Sequence, residues 1–279
     1  MRHKTPAPPI ALTVAGSDSC GGAGIQADLR TFTRWAVEGA SVITAITAQN
    51  TLAVSAVTVT ATDMVRAQIE AVFEDLPVRA LKTGMLANAD IIKTVVNAID
   101  AARRSHPTLQ VVVDPVMVAT AGARLLDAEA EAVLRDELLP RADLITPNLP
   151  EATALLGQKA ALADSMDAMA EALLALGCQA VLLKGGHGHQ ATVEDLLIRV
   201  GGHEGQRFSH PRRPVQIHGT GCTLSAAITA GLAHGWSMTE AVARAIDWLH
   251  VLIEQTYPPV RGELALLPVA SGPAPYLSR

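Results

Sequence analysis

The chain reads as an α/β protein with a mostly parallel central sheet and helices on both faces. Three observations predict this. Short apolar, β-branched runs alternate with amphipathic helical stretches along the whole length. The 279 residues are 49% hydrophobic, enough for a large core and too apolar for disorder. No composition break or internal repeat marks a second domain, so residues 10–265 are expected to form one domain, with 1–9 and 266–279 loosely held.

In chain order, Ala11–Ala15 is a buried strand, followed by a Gly cluster and a helix over Gly24–Ala36. Gly39–Thr62 carries no charge, but Gln49, Asn50 and Thr51 interrupt it. It therefore reads as two strands, Ser41–Ala48 and Ser55–Thr60, around a polar turn rather than a membrane span. Asp63 is placed as the N-cap of a helix through Phe73. Val78–Thr83 is a strand, Ala89–Arg104 a helix, and Val111–Val113 a strand ending at Asp114. Asp127–Leu138 is helical, Leu144–Thr146 a strand, Ser165–Leu176 a helix and Ala180–Lys184 a strand. Thr192–Val200 and Arg207–His210 form an edge hairpin, and Gly221–His234 and Thr239–Glu254 are the last helices.

Composition narrows the function. A net charge of −5 lacks the basic face of a nucleic-acid binder, and 3% aromatics provide no stacking platform. Cys20, Cys178 and Cys222 are far apart and form no CxxC pair, which fits a reduced, cytoplasmic protein. No signal peptide is apparent.

Ligands of such sheets bind beyond the carboxyl ends of the strands. Gly or polar residues stand there after six strands: Gly16-Ser17-Asp18, Gln49-Asn50, Gly84-Met85, Asp114-Pro115, Pro147-Asn148 and Gly185-Gly186. The strongest motif is His218-Gly219-Thr220-Gly221-Cys222-Thr223, entering an Ala-rich helix. Its glycines admit close backbone approach, and the helix start leaves amides free to form an anion hole. Cys222 lies in the first turn, where the helix dipole is expected to lower its pKa; the alternative is a buried structural thiol. Gly16–Asp28 is a Gly-rich loop entering a helix but not a Walker motif, so it is either a substrate-facing loop with Asp28 reaching in or a plain turn. Asn148 and Glu151 are three residues apart, suiting either Mg²⁺ ligation or an N-cap. Lys184, before two glycines, suits phosphate charge or a solvated turn. His187, His189 and His203 lack metal-ligand spacing.

In order, the chain carries G-S-D-S-C-G-G-A-G-I-Q-A-D-L, T-A-Q-N-T, K-T-G-M-L, V-D-P-V-M, T-P-N-L-P-E, L-L-K-G-G-H and H-G-T-G-C-T-L-S-A-A. This set resembles the hydroxymethylpyrimidine/phosphomethylpyrimidine kinases of thiamine biosynthesis, of the ribokinase-like superfamily, over about Ile10 to Glu254. The resemblance implies a ribokinase-like fold, ATP and Mg²⁺ as cofactors, and a homodimer. It implies a small-molecule substrate, an aminopyrimidine alcohol and then its phosphate, with neither nucleic acid nor membrane as partner. Gln49 then hydrogen-bonds the aminopyrimidine, and Gly16, Asp28, Met85 and Val116 complete its pocket. Asn148, Glu151 and Asp114 serve the metal and phosphates, and Lys184 and Thr220 the nucleotide. Gly219, Thr220, Gly221 and Cys222 form the anion hole, with Cys222 as base or orienting group. Pyridoxal kinases share the fold, so pyridoxal or dual specificity is the alternative. Cys20 departs from the small residue common in that loop. Asn50–Ser55 and Gly185–Gln190 are the candidate lids.

Overall fold

The computed structural model describes residues 7–118, 122, 125–163, 165–186, 191–202 and 204–275. One nine-stranded sheet dominates, in the order β3-β2-β1-β4-β5-β6-β7-β8-β9. Its strands are β1 (Ile10–Asp18), β2 (Glu38–Gln49), β3 (Val54–Val59), β4 (Val78–Thr83), β5 (Gln110–Val113), β6 (Leu144–Ile145), β7 (Ala180–Leu183), β8 (Thr192–Arg199) and β9 (Gln206–Pro211). β2, β1, β4, β5, β6 and β7 run parallel. The edges are antiparallel: β3 returns along β2, and β8 and β9 form the expected hairpin beside β7.

Eight α-helices occur among the described residues: α1 (Gly24–Arg34), α2 (Thr62–Asp75), α3 (Ala89–Ser105), α4 (Ala128–Val133), α5 (Leu149–Leu156), α6 (Met166–Leu174), α7 (Thr220–Ala233) and α8 (Met238–Glu254). Strand alternation divides the core in two. Val111 and Val113 of β5, Ile145 of β6 and Val181 and Leu183 of β7 face the α2–α6 side. Val112, Leu144, Ala180 and Leu182 face α1, α7 and α8. Residues buried on both faces give the near-continuous apolar runs that announced the sheet.

α7 is buried on nearly every side from Thr223 to Ala233, because it lies between the sheet and α8. Its small residues make this possible. A Cβ on Gly231 would stand 2.9 Å from the Cβ of Ala241 on α8. A two-stranded ladder of β10 (Ile217–His218) and β11 (Ala265–Leu266) leads into α7; both strands are too short to carry a periodicity signal.

Several expectations change. β1 and β2 run on to Asp18 and Gln49, so their "loop" residues are strand ends. The cap before α2 is Ala61, and Asp63 lies in the first turn, accepting from the Met64 amide at 2.8 Å. The 127–138 segment starts as α-helix, capped by Asp127, and widens to a π-turn at Leu134–Leu138. The described part of the tail, to residue 275, is packed, not loose. Val269 is buried, Arg34 donates to the Gly272 carbonyl, and Trp248 Nε1 donates to the Pro273 carbonyl at 3.0 Å. His187, His189, His203 and Gly188 to Gln190 lie outside the described residues.

Truncation before Pro268 is therefore expected to destabilise the protein by about 2 to 4 kcal/mol, from one buried aliphatic side chain and two hydrogen bonds. Urea unfolding checks this; an unchanged midpoint would mean that the tail contributes nothing.

Candidate active site

The chain leaves β1 towards β2 on one side and reaches β4 on the other, which makes the β1/β4 boundary a topological switch point. A cleft of about 1170 Å³ opens at the carboxyl ends of the strands there. Gly16, Gln49, Met85, Asp114, Val116, Asn148, Glu151, Lys184, Gly219, Thr220, Gly221 and Cys222 all line it.

Asp28 does not. It is fully buried beneath the floor, where both carboxylate oxygens accept from Lys82 Nζ at 2.8 and 2.9 Å. Thr13 Oγ1 adds a third bond at 2.6 Å. The sequence expectation of a substrate-facing Asp28 is corrected: helix α1 points it inward, at a strand lysine. Lys82 is the residue that sequence reasoning missed. Its motif was visible in K-T-G-M-L, but a lysine at 0% exposure is not legible without its partner. Burial opposes the ammonium charge, yet Asp28, and more weakly Cys222 and Asp114, raise its pKa above the ordinary lysine value.

The two Gly-rich segments meet backbone to backbone. Gly219, the N-cap residue of α7, has φ +80°, and a Cβ there would lie 1.8 Å from the Gly22 carbonyl oxygen. Gly24 has φ +59°, and its Cβ would fall 2.4 Å from the Gly16 carbonyl. Only glycine fits either place. The contact aims the first amides of α7 into the cleft.

Cys222 sits in that first turn, but its thiol is not activated. Burial pushes it up to about 11, with Asp28 and Asp114 adding to the shift; Lys82 and the Gly24 amide pull the other way without winning. The expectation of a dipole-lowered thiol is therefore corrected. One helix terminus does not outweigh desolvation among carboxylates.

On the opposite wall, Asp114 follows β5 and is 2% exposed. It accepts from Thr146 Oγ1 at 3.1 Å, Ser225 Oγ at 3.2 Å and Lys184 Nζ at 3.4 Å. Lys184 is held by a bond from its amide to the Pro147 carbonyl at 2.9 Å. Burial opposes its charge, and Asp114 and Glu151 more than restore it. Gly185 must be glycine, because a Cβ would stand 2.1 Å from the Glu194 carbonyl. Its amide donates to buried Asp195 at 2.9 Å, fixing the turn after β7.

Asn148 and Glu151 form a capping box on α5: each side chain accepts from the other's amide at 2.8 Å. The N-cap reading thus holds, and it places Glu151 on the cleft wall. Burial pushes the Glu151 carboxyl up to about 7, Lys184 lowering it and Asp114 raising it. Two carboxylates beside one ammonium are hard oxygen donors that fit Mg²⁺.

At the other end, Gln49 closes β2. Its Nε2 is 3.4 Å from His218 Nε2, and Thr47 Oγ1 reaches its Oε1 at 3.4 Å. His218 Nε2 lies 2.9 Å from Asp18 Oδ2. Burial raises the Asp18 carboxyl, but His218 and the Ala23 and Cys20 amides outweigh it and lower it. The Asn50–Ser55 lid candidate is the β2–β3 turn, tied by Asn50 Oδ1 to the amides of Leu52 and Ala53.

The sequence profile of phosphomethylpyrimidine kinase matches residues 18–266. This chain belongs to the phosphomethylpyrimidine kinase family. It is 49% identical to the hydroxymethylpyrimidine/phosphomethylpyrimidine kinase of Rhizobium meliloti, over 88% of this chain and 90% of that one. Among solved structures, it is 42% identical to the Clostridium difficile phosphomethylpyrimidine kinase, with a TM-score of 0.73 over 88% and 99% of the two chains. It is also similar to Staphylococcus aureus pyridoxal kinase in complex with AMP-PCP and pyridoxal: 31% identity, TM-score 0.83, 95% and 94% coverage. Sequence thus favours the pyrimidine kinases, while backbone overlap is greater with a pyridoxal kinase. Identity is the better guide to a pocket, since specificity resides in side chains rather than in the fold. No helix among the described residues is long and apolar enough to cross a membrane.

Two outcomes follow. Lys82→Met is expected to cost about 3–5 kcal/mol by stranding Asp28, whereas Lys82→Met with Asp28→Leu recovers most of it; chemical denaturation of the three proteins decides. For Glu151, the folded pKa of about 7 exceeds the ordinary 4.5. Its contribution to stability is therefore full below pH 4.5 and is lost as pH rises through about 7. Glu151→Gln should flatten the stability–pH curve across that window, and an unchanged slope would refute the assignment.

Proposed function

We propose that this kinase transfers the γ-phosphoryl group of ATP to the hydroxymethyl group of 4-amino-5-hydroxymethyl-2-methylpyrimidine. It then acts on the monophosphate to give the diphosphate, in thiamine biosynthesis. The observation that carries the reading is the single cleft with Gln49 and Met85 at one end, Lys184 and Glu151 at the other, and the Gly219–Cys222 turn between them. Family membership agrees.

At the substrate end, the Gln49 amide offers a donor and an acceptor side by side, which suits a ring nitrogen beside an exocyclic amine. Gly16, Met85 and Val116 supply an apolar slot for a flat ring. Asp28 belongs to the support of this floor, through Lys82, and not to the pocket. At the nucleotide end, Lys184 offsets phosphate charge, and Asp114, Glu151 and the Asn148 turn would hold Mg²⁺. Mg²⁺ would supply neutralisation of the phosphate oxygens.

The amides of Gly219, Thr220, Gly221 and Cys222 face the position where negative charge grows during transfer. Cys222 is a neutral thiol at pH 7 and so orients the alcohol instead of stripping its proton in advance. A loose transition state for phosphoryl transfer lets the alcohol proton leave late, so a strong base is not required. The chain works as one domain, the tail beyond residue 265 packing onto it, in the cytoplasm and as a homodimer. Charge-free edge strand β3, with Val57 and Val59 exposed on one face and Ile46 of β2 exposed on the other, supports the dimer.

The second reading, a pyridoxal kinase, is favoured by backbone overlap with the Staphylococcus enzyme. Pyridoxal carries a hydroxymethyl group on a six-membered ring but no amine for Gln49 to accept from. Each alcohol offered separately with ATP and Mg²⁺, with products read by mass, separates the two. Sequential mono- and diphosphate of the pyrimidine are expected. Phosphate on pyridoxal alone would overturn the pyrimidine reading, and turnover of neither would make the protein a binder on a kinase fold. Cys222→Ala is expected to lower kcat by about 10- to 100-fold, the loss of an orienting contact, while leaving KM for the pyrimidine within a few-fold. An undiminished kcat would remove the thiol from the mechanism.

A further inference from the structure

Three dissimilar donors converge at the substrate end of the cleft. Asp18 Oδ2 lies 2.9 Å from His218 Nε2 and 3.4 Å from Cys20 Sγ. The three donor atoms all fall within 4.8 Å of one another, and no other trio of His, Cys, Asp or Glu does so among the described residues. Asp18 and His218 are each 2% exposed, and Cys20 is half-buried.

We infer that Asp18, Cys20 and His218 form a binding site for a thiophilic divalent cation of the zinc class. Tetrahedral bonds of about 2.0 Å to oxygen and nitrogen and about 2.3 Å to sulfur set ligand atoms roughly 3.3–3.5 Å apart. The Asp18–Cys20 separation already meets this, and the Asp18–His218 contact needs to widen by only a few tenths of an ångström. A thiolate with an imidazole selects zinc over magnesium, the reverse of the oxygen-only pair Asp114 and Glu151. The cluster is also pre-set. Cys20 and Ala23 amides donate to Asp18 at 3.0 and 2.8 Å, leaving the carboxylate fixed before any ion arrives. A Cβ on Gly22 would stand 2.3 Å from His218 Cδ2, so the ring is packed in place. His218 Nδ1 has no hydrogen-bond partner, so the ring's polar anchorage is entirely at Nε2, on the cluster.

Binding releases the Cys20 thiol proton, moves the His218 Nε2 proton to Nδ1 by tautomer exchange through solvent, and replaces the His218–Asp18 hydrogen bond with one metal bond from each side chain. The fourth position opens towards Gln49, whose amide is 3.4 Å from His218. An ion there obstructs the pyrimidine end, so the cation inhibits by competing with the alcohol and not with ATP. That consequence rests on the substrate reading above; the binding itself does not.

The test titrates the metal-free, full-length protein with Co²⁺ in the absence of nucleotide. A thiolate-to-cobalt charge-transfer band is expected, and Zn²⁺ should abolish it by displacement. Cys20→Ser should remove the band and weaken Zn²⁺ by at least about tenfold against a chromophoric chelator, while Cys222→Ala keeps the band. No band in the parent protein, a band that survives Cys20→Ser, or one lost in Cys222→Ala would overturn the site. In the kinase assay, Cys20→Ser should keep turnover within about twofold and relieve Zn²⁺ inhibition by about tenfold. Inhibition unchanged by Cys20→Ser would overturn the competitive role. If neither alcohol is phosphorylated, the functional reading fails, yet the cobalt spectrum still decides the site.

Discussion

The buried Lys82–Asp28 pair is the interaction on which the rest of the structure depends. It joins β4 to α1 and, through Thr13, to β1, at the point where the strand order reverses. Both side chains are at 0% exposure, so each charge is tolerable only because the other is there. The pair lies beneath the turn that carries Cys222, and its two charges act on that thiol in opposite senses, Lys82 opposing the effect of burial and Asp28 adding to it. A feature of the core thereby sets the electrostatics of the cleft floor without entering the cleft.

A second constraint is steric. The Gly16–Gly24 segment and the entry to α7 come from opposite ends of the chain, and at Gly22 and Gly219 they approach backbone to backbone. The close approach of Gly22 and Gly219 gives no room for a side chain on either partner. It brings the Gln49 end of the cleft within reach of the α7 amides, and it seats His218 against Asp18. The two ends then differ in chemistry. Hard oxygens and an ammonium occupy one, while sulfur, imidazole and amide occupy the other.

Much of the architecture was legible in the sequence, because strands buried on both faces read as apolar runs and amphipathic helices carry their own periodicity. The β8–β9 hairpin and the α3 helix fell close to their expected bounds for that reason. The short strands β10 and β11 carry no such signal and were missed. The tail from Pro268 read as loose because proline and glycine suggest it, whereas Trp248 and Arg34 hold it by its carbonyls.

The sequence by itself determined the order of the strands' carboxyl-end residues, and hence the lining of the cleft: Gly16, Gln49, Met85, Asp114, Asn148, Glu151, Lys184 and the Gly219–Cys222 turn. These follow from local rules, since strand ends and helix starts are fixed by short-range pattern. Tertiary structure alone decided which titratable groups face solvent and which face each other. It turned Asp28 from the pocket to Lys82, raised the Cys222 thiol instead of lowering it, and set Cys20 beside Asp18 and His218. The physical reason is that desolvation and Coulomb interaction depend on distance in space, and residues 28 and 82, or 18 and 218, are neighbours only once the sheet has formed.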